Sequence, residues 1–276
     1  MDKISNYAFK YIKYILYLLY LILMNIITKN KIYSKYINYK DIDLSNISYI
    51  NNIPRLVHRT LLFDSEFPSE FAKLFILFNY NSVGYKTILW REKDLLEILN
   101  NGEKHIYSSY KHKIQKMDFA RYIILQKYGG VYADFDIHLK VHLDKVLQTS
   151  NKRFICLEER GGADTRLFRI RQTLPLDKRQ EHKIRIANYF IASSKNHKIW
   201  TDIMRLCCIR STLNVREAYD VLFTTGPDVV TTTIHNICYP NYKEIHLLMW
   251  SIAGNMIEHV RQTSYHKKNN YWKKLL

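Results

Sequence analysis

The chain has 276 residues, 47% of them hydrophobic and 24% charged, so it can build one substantial core and is too apolar for a disordered polymer. Its 42 Lys and Arg against 25 Asp and Glu give a formal net charge of +17, which suits anionic partners such as nucleotide phosphates or lipid head groups. The basic residues are scattered rather than gathered in one block, so we expect no nucleic acid partner.

The first predicted element is an apolar helix near the N-terminus. Residues 11–28 are apolar apart from Lys13 and Asn25, and about 20 apolar residues cross a bilayer. We therefore predict an uncleaved, single-pass membrane anchor over residues 1–28, followed by a polar stem over residues 29–52. A cleaved signal peptide and an amphipathic core helix are alternatives. Lysines on both sides of the run leave its orientation open, and a type II orientation in a secretory pathway is compatible with it.

From Ile53 onward, short apolar strands alternate with helix-like stretches, which is the pattern of an α/β layer and predicts a domain over residues 53–276. The predicted strands are 53–62, 85–90, 131–136, 153–158, 189–193 and 244–249. The predicted helices are 70–81, 92–101, 113–130 and 198–207. The third helix ends at Gly129 and Gly130. Open sheets of this kind bind ligands at the carboxyl ends of their strands.

An acidic pair lies on the strand predicted at 131–136. Side chains alternate along a strand, so Tyr132, Asp134 and Asp136 are predicted to share one face. Two neighbouring carboxylates repel each other, and their burial needs a compensating charge. Mn²⁺ and Mg²⁺ take carboxylate oxygens together with substrate phosphates. We therefore predict that Asp136 and Asp134 bind a divalent metal, with two solvated aspartates in a turn as the alternative.

The preceding helix carries a second polar group. Asp118, Arg121 and Tyr122 lie at i, i+3 and i+4, so they form one stripe along the helix. A chain reversal at Gly129 and Gly130 is predicted to bring this stripe beside the acidic strand. An arginine there binds phosphate or sugar oxygens, and an aspartate accepts from sugar hydroxyls. An ordinary surface ion pair is the alternative.

Two segments, IPRLVHRTL at 53–61 and KMDFARYIILQKYGGVYADFDIHL at 116–139, resemble the DxD-containing glycosyltransferase family 32. The family pattern runs roughly I-P-K-I-I-H-Q-T-W and then D-x-x-R-Y-x-x-L-x-x-Y-G-G-x-Y-x-D-x-D. The group includes initiation-type α-1,6-mannosyltransferases, and clostridial glucosylating toxins share its core. The matching residues, all in register, are Asp118, Arg121, Tyr122, Leu125, Tyr128, Gly129, Gly130, Tyr132, Asp134 and Asp136. Segments 188–200 and 224–231 extend the similarity.

The resemblance implies a GT-A fold, in which a Rossmann-like mixed sheet is flanked by helices. It also implies a retaining transfer of a hexose from a nucleotide sugar, GDP-mannose or a UDP-sugar, to a glycan or protein acceptor. Mn²⁺ or Mg²⁺ would be bound by Asp136 with Asp134. The implied donor-binding residues are Asp134, Asp118, Arg121, Tyr122, His58, Asn188 and Ser264.

The chain departs from the family pattern at two places. Leu61 stands where the family often has Trp, and His259 is followed by Thr263, Ser264 and Tyr265 in the segment that closes over the diphosphate. A metal-dependent phosphoesterase or nuclease remains an alternative, because paired aspartates serve that chemistry too. A glycosyltransferase-like binding protein without activity is another. The redox state of the four cysteines is open, since none forms a CxxC pair.

Two further groups are weaker candidates for phosphate contacts. Thr225, Gly226 and Pro227 predict the start of a helix, whose N-terminus either receives a phosphate or is simply capped. His138 has the same strand parity as the two aspartates and would reach a phosphate if the strand continued. A solvated histidine is the alternative there.

Overall fold

The structure, a computed structural model, describes residues 36–63, 78–159, 182, 184–216, 218–237 and 242–260. The predicted anchor at 1–28, most of the predicted helix at 70–81, and Ser264 lie outside these ranges. Among the helices within them, none has the length and apolarity needed to cross a bilayer.

Short strands and helices alternate along the chain. The described strands are β1 (Tyr36–Ile37), β2 (Tyr49–Ile50), β3 (Ile53–Pro54), β4 (Leu56–Thr60), β5 (Lys86–Trp90), β6 (Gly130–Ala133), β7 (Ile137–Leu139), β8 (Phe154–Glu158), β9 (Ile186–Ser193), β10 (Ile245–Leu248) and β11 (Ile257–His259). The described helices are α1 (Glu92–Ile98), α2 (Asn101–Ser109), α3 (Lys113–Tyr128), α4 (Leu143–Leu147), α5 (Ile199–Arg210), α6 (Ala218–Thr224), α7 (Pro227–Thr232) and α8 (Trp250–Met256). Residues 233–237 continue α7 as a π-helical turn.

A seven-stranded sheet organises the molecule in the order β1-β5-β4-β6-β9-β8-β10. Most neighbouring strands are parallel, but β9 runs antiparallel to both β6 and β8. Strands β7 and β11 form a separate antiparallel pair beyond the end of β6. The fold is therefore a mixed α/β fold with a mostly parallel central sheet.

Helices cover both faces of this sheet, which explains why its strands read as continuous apolar runs. On one face, α3 and α5 pack against side chains such as Leu56, Tyr132 and Ile191. On the other face, α4 and α8 pack against a set that includes Val57 and Val131.

Several sequence predictions need correction. The strand predicted at 131–136 ends at Ala133, and its two aspartates lie in a turn. The helix predicted at 92–101 ends at Ile98, because Leu99 and Asn100 leave the helical conformation, and helix α2 that follows was not predicted. The described part of the predicted stem is not a free linker, since β1 pairs with β5 at the edge of the main sheet.

Candidate active site

Helix α3 is positioned by the two glycines that follow it. Gly129 and Gly130 have φ angles of +67° and +93°, in the region that L side chains rarely adopt. A Cβ on Gly130 would also lie 2.8 Å from the carbonyl oxygen of Leu56, too close for any side chain. The chain therefore reverses at once from α3 into β6, which brings the first half of α3 to the carboxyl end of β6.

Asp118 and Arg121 form a buried ion pair at that position, with 5% and 2% of their side chains exposed. Arg121 Nη2 lies 2.9 Å from Asp118 Oδ1. Asn188 Nδ2 donates to the same oxygen at 2.9 Å, and Thr225 Oγ1 donates to Oδ2 at 3.3 Å. Arg121 Nη1 also donates to the Asn188 carbonyl at 2.8 Å and to Asp134 Oδ2 at 3.4 Å. The predicted stripe is thus joined to the acidic pair, as the sequence suggested, through Arg121.

Burial sets the protonation behaviour of this ion pair. It raises the pKa of Asp118 to about 7, against the attraction of Arg121 and the hydrogen bonds from Thr225 and Asn188. Burial alone would lower the pKa of Arg121, but the carboxylates of Asp134 and Asp118 and the nearby Tyr132 outweigh it and raise the pKa. The guanidinium therefore stays charged while Asp118 is close to titration near neutral pH.

Tyr122 and Asn188 complete the polar network from the helix and from β9. The Tyr122 hydroxyl donates to the Thr225 carbonyl at 2.7 Å, and the Asn188 amide approaches that hydroxyl at 3.4 Å. Burial raises the pKa of Tyr122 well above its usual value, so the phenol is neutral. Sequence reasoning named both residues as donor-binding, and the structure brings them together with Asp118 and Arg121. It also adds Thr225, which the sequence indicated only as part of a helix N-terminus that either receives a phosphate or is capped.

The two aspartates lie in the segment 134–136, here called the acidic turn. The Asp134 amide donates to the Tyr189 carbonyl at 2.9 Å, and the Ile137 amide donates back to the Asp134 carbonyl at 3.0 Å. The Asp134 carboxylate accepts from the Tyr132 hydroxyl at 2.7 Å and from Arg121, and 30% of its side chain remains exposed. Asp134 is therefore the more exposed carboxylate of this turn, since only 7% of the Asp136 side chain is exposed.

Asp136 faces a histidine that sequence reasoning did not assign to the site. The Oδ2 atom of Asp136 lies 2.9 Å from Nε2 of His259 on β11. The Val260 amide donates to the main-chain carbonyl of Asp136 at 2.9 Å. The His259 ring in turn lies 4.1 Å from the ring of Tyr189. The signal available in the sequence was the position of His259 in the C-terminal segment of the family pattern.

The charges of the site suit a divalent cation. Three carboxylates, Asp118, Asp134 and Asp136, meet the guanidinium groups of Arg121 and Arg59, which leaves one excess negative charge when all are ionised. Asp134 and Asp136 offer the oxygen ligands that Mn²⁺ or Mg²⁺ prefers, and substrate phosphates usually supply the rest. Within the ranges that the structure describes, no group of three or more His, Cys, Asp or Glu side chains could hold the ion by itself.

Two candidate histidines have other partners in the fold. His58 is fully buried, its Nδ1 accepts from Trp90 Nε1 at 3.1 Å, and its Nε2 lies 2.8 Å from the Gly129 carbonyl. Burial lowers the pKa of His58 to about 4, so the ring is neutral and its Nε2 is the donor. His138 lies 3.9 Å from Glu258. Their contacts with a nucleotide stay predictions, and the described role of His58 is to link β4, β5 and the end of α3.

The segment around Gly226 begins a helix, as the sequence predicted. Helix α7 starts at Pro227 directly after Gly226, and the helix has only six residues. The Thr225 side chain points to Asp118 rather than capping the helix, because its hydroxyl donates to that carboxylate. The segment thus contributes to the polar network through Thr225.

Comparison with known proteins finds sequence similarity to glycosyltransferases. Residues 25–153 match the sequence model of the family described as "Glycosyltransferase sugar-binding region containing DXD motif". Inositol phosphoceramide mannosyltransferase 1 of Schizosaccharomyces pombe is 33% identical over 116 residues, which are 38% of this chain and 34% of the relative. Inositol phosphoceramide mannosyltransferase 3 of the same yeast is 29% identical over 125 residues, 41% of this chain and 35% of the relative. The chain therefore spans about a third of the length of the curated relatives it matches.

Among solved structures, "PaToxG Glycosyltransferase" is similar at 18% identity and a TM-score of 0.41, covering 66% of this chain and 69% of that one. The family match contains Asp118, Arg121, Asp134 and Asp136, and it ends before Asn188.

Proposed function

We propose that the protein is a metal-dependent, retaining glycosyltransferase of GT-A type, on the premise that residues 25–153 match the sequence model of the DXD-motif family of glycosyltransferase sugar-binding regions. It moves a hexose from a nucleotide sugar to an acceptor that is a glycan or a protein. Mannose from GDP-mannose is the first candidate, because the relatives named above are mannosyltransferases, and UDP-sugars are the alternative. Inositol phosphoceramide, the acceptor in those relatives' names, is also a candidate. The segment 1–28 would hold the protein at a membrane.

One observation carries the proposal: the buried Asp118 and Arg121 pair reaches the partly exposed Asp134 carboxylate directly, through the 3.4 Å contact of Arg121 Nη1. A buried cation locked between two acids is preorganised, since nothing needs to move to orient it. Such a network holds sugar hydroxyls and the exposed acid in one fixed geometry at the end of a strand, where open sheets bind ligands.

Each side chain then has a distinct task. Asp134, exposed beside Arg121, accepts hydrogen bonds from donor hydroxyls. Asp136, with Asp134, would hold the divalent ion, and that ion supplies charge neutralisation for the departing diphosphate. Arg121 keeps Asp134 oriented through the contact of its Nη1 with Asp134 Oδ2. Asp118 and Asn188 keep Arg121 in place by accepting from it with a side chain and a main-chain carbonyl.

The test measures nucleotide release by the purified full chain from GDP-mannose and from several UDP-sugars, with Mn²⁺ and with EDTA. Asp134→Asn and Asp136→Asn should each lower kcat at least about 100-fold, because they remove preorganised charge at the reacting centre. Asp144→Asn is the matched control. Asp144 is a half-buried aspartate paired with Arg55 at 2.7 Å outside the acidic turn, so its replacement should leave kcat unchanged.

Three results would count against this function. Full activity in EDTA would exclude a requirement for a divalent metal. Unchanged activity in both acidic-turn variants would exclude the acidic turn as the active site. Hydrolysis of nucleic acid without any turnover of a nucleotide sugar would favour a phosphoesterase instead.

A further inference from the structure

A buried arginine lies beneath the acidic turn on the face of the sheet opposite to Arg121. Arg59 belongs to β4 and is 1% exposed. Its guanidinium carbon lies 3.9 Å from the centre of the Phe78 ring, and Phe78 is part of the core on the α4 and α8 side. Arg121 instead lies 4.6 Å from the centre of the Tyr132 ring, and Tyr132 is part of the core on the α3 side. The two guanidinium groups therefore flank the end of β6 from both faces.

Arg59 binds the main chain of the acidic turn. Its Nη1 donates to the Ala133 carbonyl at 3.0 Å and also to the Asp134 carbonyl. The Phe135 ring packs 5.5 Å from the guanidinium carbon. Because the two carbonyls accept from Arg59, they are occupied by a side chain and do not continue the strand pairing. The Asp134 carbonyl also accepts from the Ile137 amide, and this second bond closes the turn. The end of β6 at Ala133 is thus fixed by a side chain from β4.

Folding stability does not explain why this position holds an arginine. Within the described ranges, Arg59 Nε and Nη2 are buried without a hydrogen-bond partner. Unpaired buried donors are unfavourable, and an apolar residue of similar volume would avoid them. Burial lowers the pKa of Arg59, while Tyr36, Tyr132, Asp134 and Asp136 oppose that effect by their charge. What the arginine does provide is a fixed pair of carbonyl contacts and a positive charge under two carboxylates.

We propose that Arg59 is a positioning residue, which holds the acidic turn so that the carboxylates of Asp134 and Asp136 keep the geometry needed for donor and metal. The catalytic half of this inference rests on the proposed function. The structural half, that Arg59 holds the turn, does not.

Full-chain variants Arg59→Met and Arg59→Lys test the inference, with Arg210→Met as the matched control. Arg210 is also buried, donates to a main-chain carbonyl, that of Phe223, at 2.7 Å and lies 3.7 Å from the Phe223 ring. Its described partners lie outside the acidic turn. Met keeps much of the volume without the donors, and Lys keeps the charge without the planar fork.

The first measurement is hydrogen exchange across residues 130–139, which needs no substrate. We expect the Ile137 amide to exchange at least about 10-fold faster in Arg59→Met and to change less in Arg59→Lys, since local opening of the turn becomes easier. Arg210→Met should leave this amide unchanged. The Tm of Arg59→Met should stay within about 3 °C of the parent, because the loss of unpaired donors offsets the loss of two carbonyl contacts.

The second measurement is kcat for nucleotide release, together with the Mn²⁺ concentration that gives half-maximal rate. We expect Arg59→Met to lower kcat about 10- to 100-fold, as a small misplacement of reacting groups does, and to raise that Mn²⁺ concentration. Arg210→Met should change neither.

The outcomes separate the two proposals. Unchanged exchange at Ile137 in Arg59→Met overturns the inference whatever the activity. Faster exchange with full activity overturns the catalytic half. Faster exchange in a protein whose parent form turns over no nucleotide sugar supports Arg59 as the holder of the turn and rejects the proposed function.

Discussion

Removal of the Arg121 guanidinium tests the electrostatic centre of the site. Arg121→Met keeps an unbranched apolar stem in the core but leaves Asp118 buried, with 5% of its side chain exposed, and without its cation. Removing one partner of a buried ion pair typically costs about 3–5 kcal/mol, because the remaining charge is uncompensated. Asp134 also loses its contact with Arg121, but its carboxylate is partly exposed, so water compensates most of that lost interaction. For a chain of this size the expected decrease in Tm is roughly 10 °C.

The loss of folding stability in Arg121→Met should depend on pH in a defined direction. Burial raises the pKa of Asp118 from 3.8 to about 7, so this group stabilises the folded protein fully below about pH 4 and loses that effect as pH rises toward 7. Without Arg121 the folded pKa of Asp118 rises further, and the loss continues above pH 7 by up to about 1.4 kcal/mol per pH unit. Arg121→Met should therefore be more destabilising at pH 8.5 than at pH 6.

A double-mutant cycle supplies the control. Asp118→Asn alone leaves Arg121 with Asp134 and the Asn188 carbonyl, whereas Asp118→Asn combined with Arg121→Met removes both buried charges. The double variant should be more stable than Arg121→Met alone at pH 8.5, measured by urea unfolding of the full chain. Additive effects, or a double variant that is less stable than Arg121→Met, would refute the buried ion pair as described.

Two further predictions concern the support of the site. Gly130→Ala should destabilise the protein by at least about 2 kcal/mol, because φ is +93° and a Cβ would lie 2.8 Å from the Leu56 carbonyl oxygen. Gly102→Ala in helix α2 is the control and should be neutral or stabilising. Equal effects of the two substitutions in urea unfolding would contradict this prediction. Burial lowers the pKa of His58 from 6.5 to about 4. The His58 side chain therefore contributes fully to folding stability above pH 6.5, and this contribution is lost as pH falls toward 4. His58→Gln should therefore flatten the decrease in Tm between pH 7 and pH 5, with His197, also lowered to about 4, accounting for part of what remains.

Local signals in the sequence predicted the elements that local interactions determine. Helix α3 ends where Gly129 follows Tyr128, and strands β5, β8 and β10 lie within one or two residues of the predicted ranges. Helix α2 was not predicted, although the signal for its start was present. Asn100 and Glu103 form a capping box, in which the Asn100 side chain accepts from the Glu103 amide and the Glu103 side chain accepts from the Asn100 amide.

The end of β6 depends on a residue that is distant in the sequence, so no local pattern could predict it. Alternation of Tyr132, Asp134 and Asp136 favours a strand through all three. Arg59, more than 70 positions earlier, donates to the Ala133 and Asp134 carbonyls, which a longer strand would use for strand pairing. A charged residue inside the apolar strand run LVHRTLL was the available sign that the position had a specific partner.

The direction of β9 then explains why these residues form one site. Because β9 is antiparallel to β6, with Ala133 opposite Phe190, its first residues extend past the end of β6 and bring Asn188 to Asp118 and Tyr189 to Asp134. A parallel β9 would place its other end there and would separate Asn188 from α3. Helix α3 and strand β4 reach the same point because the first reverses at the glycines and the second is parallel to β6. The acidic pair is visible in twelve residues of sequence, but its two arginines and its asparagine meet it only through strand order.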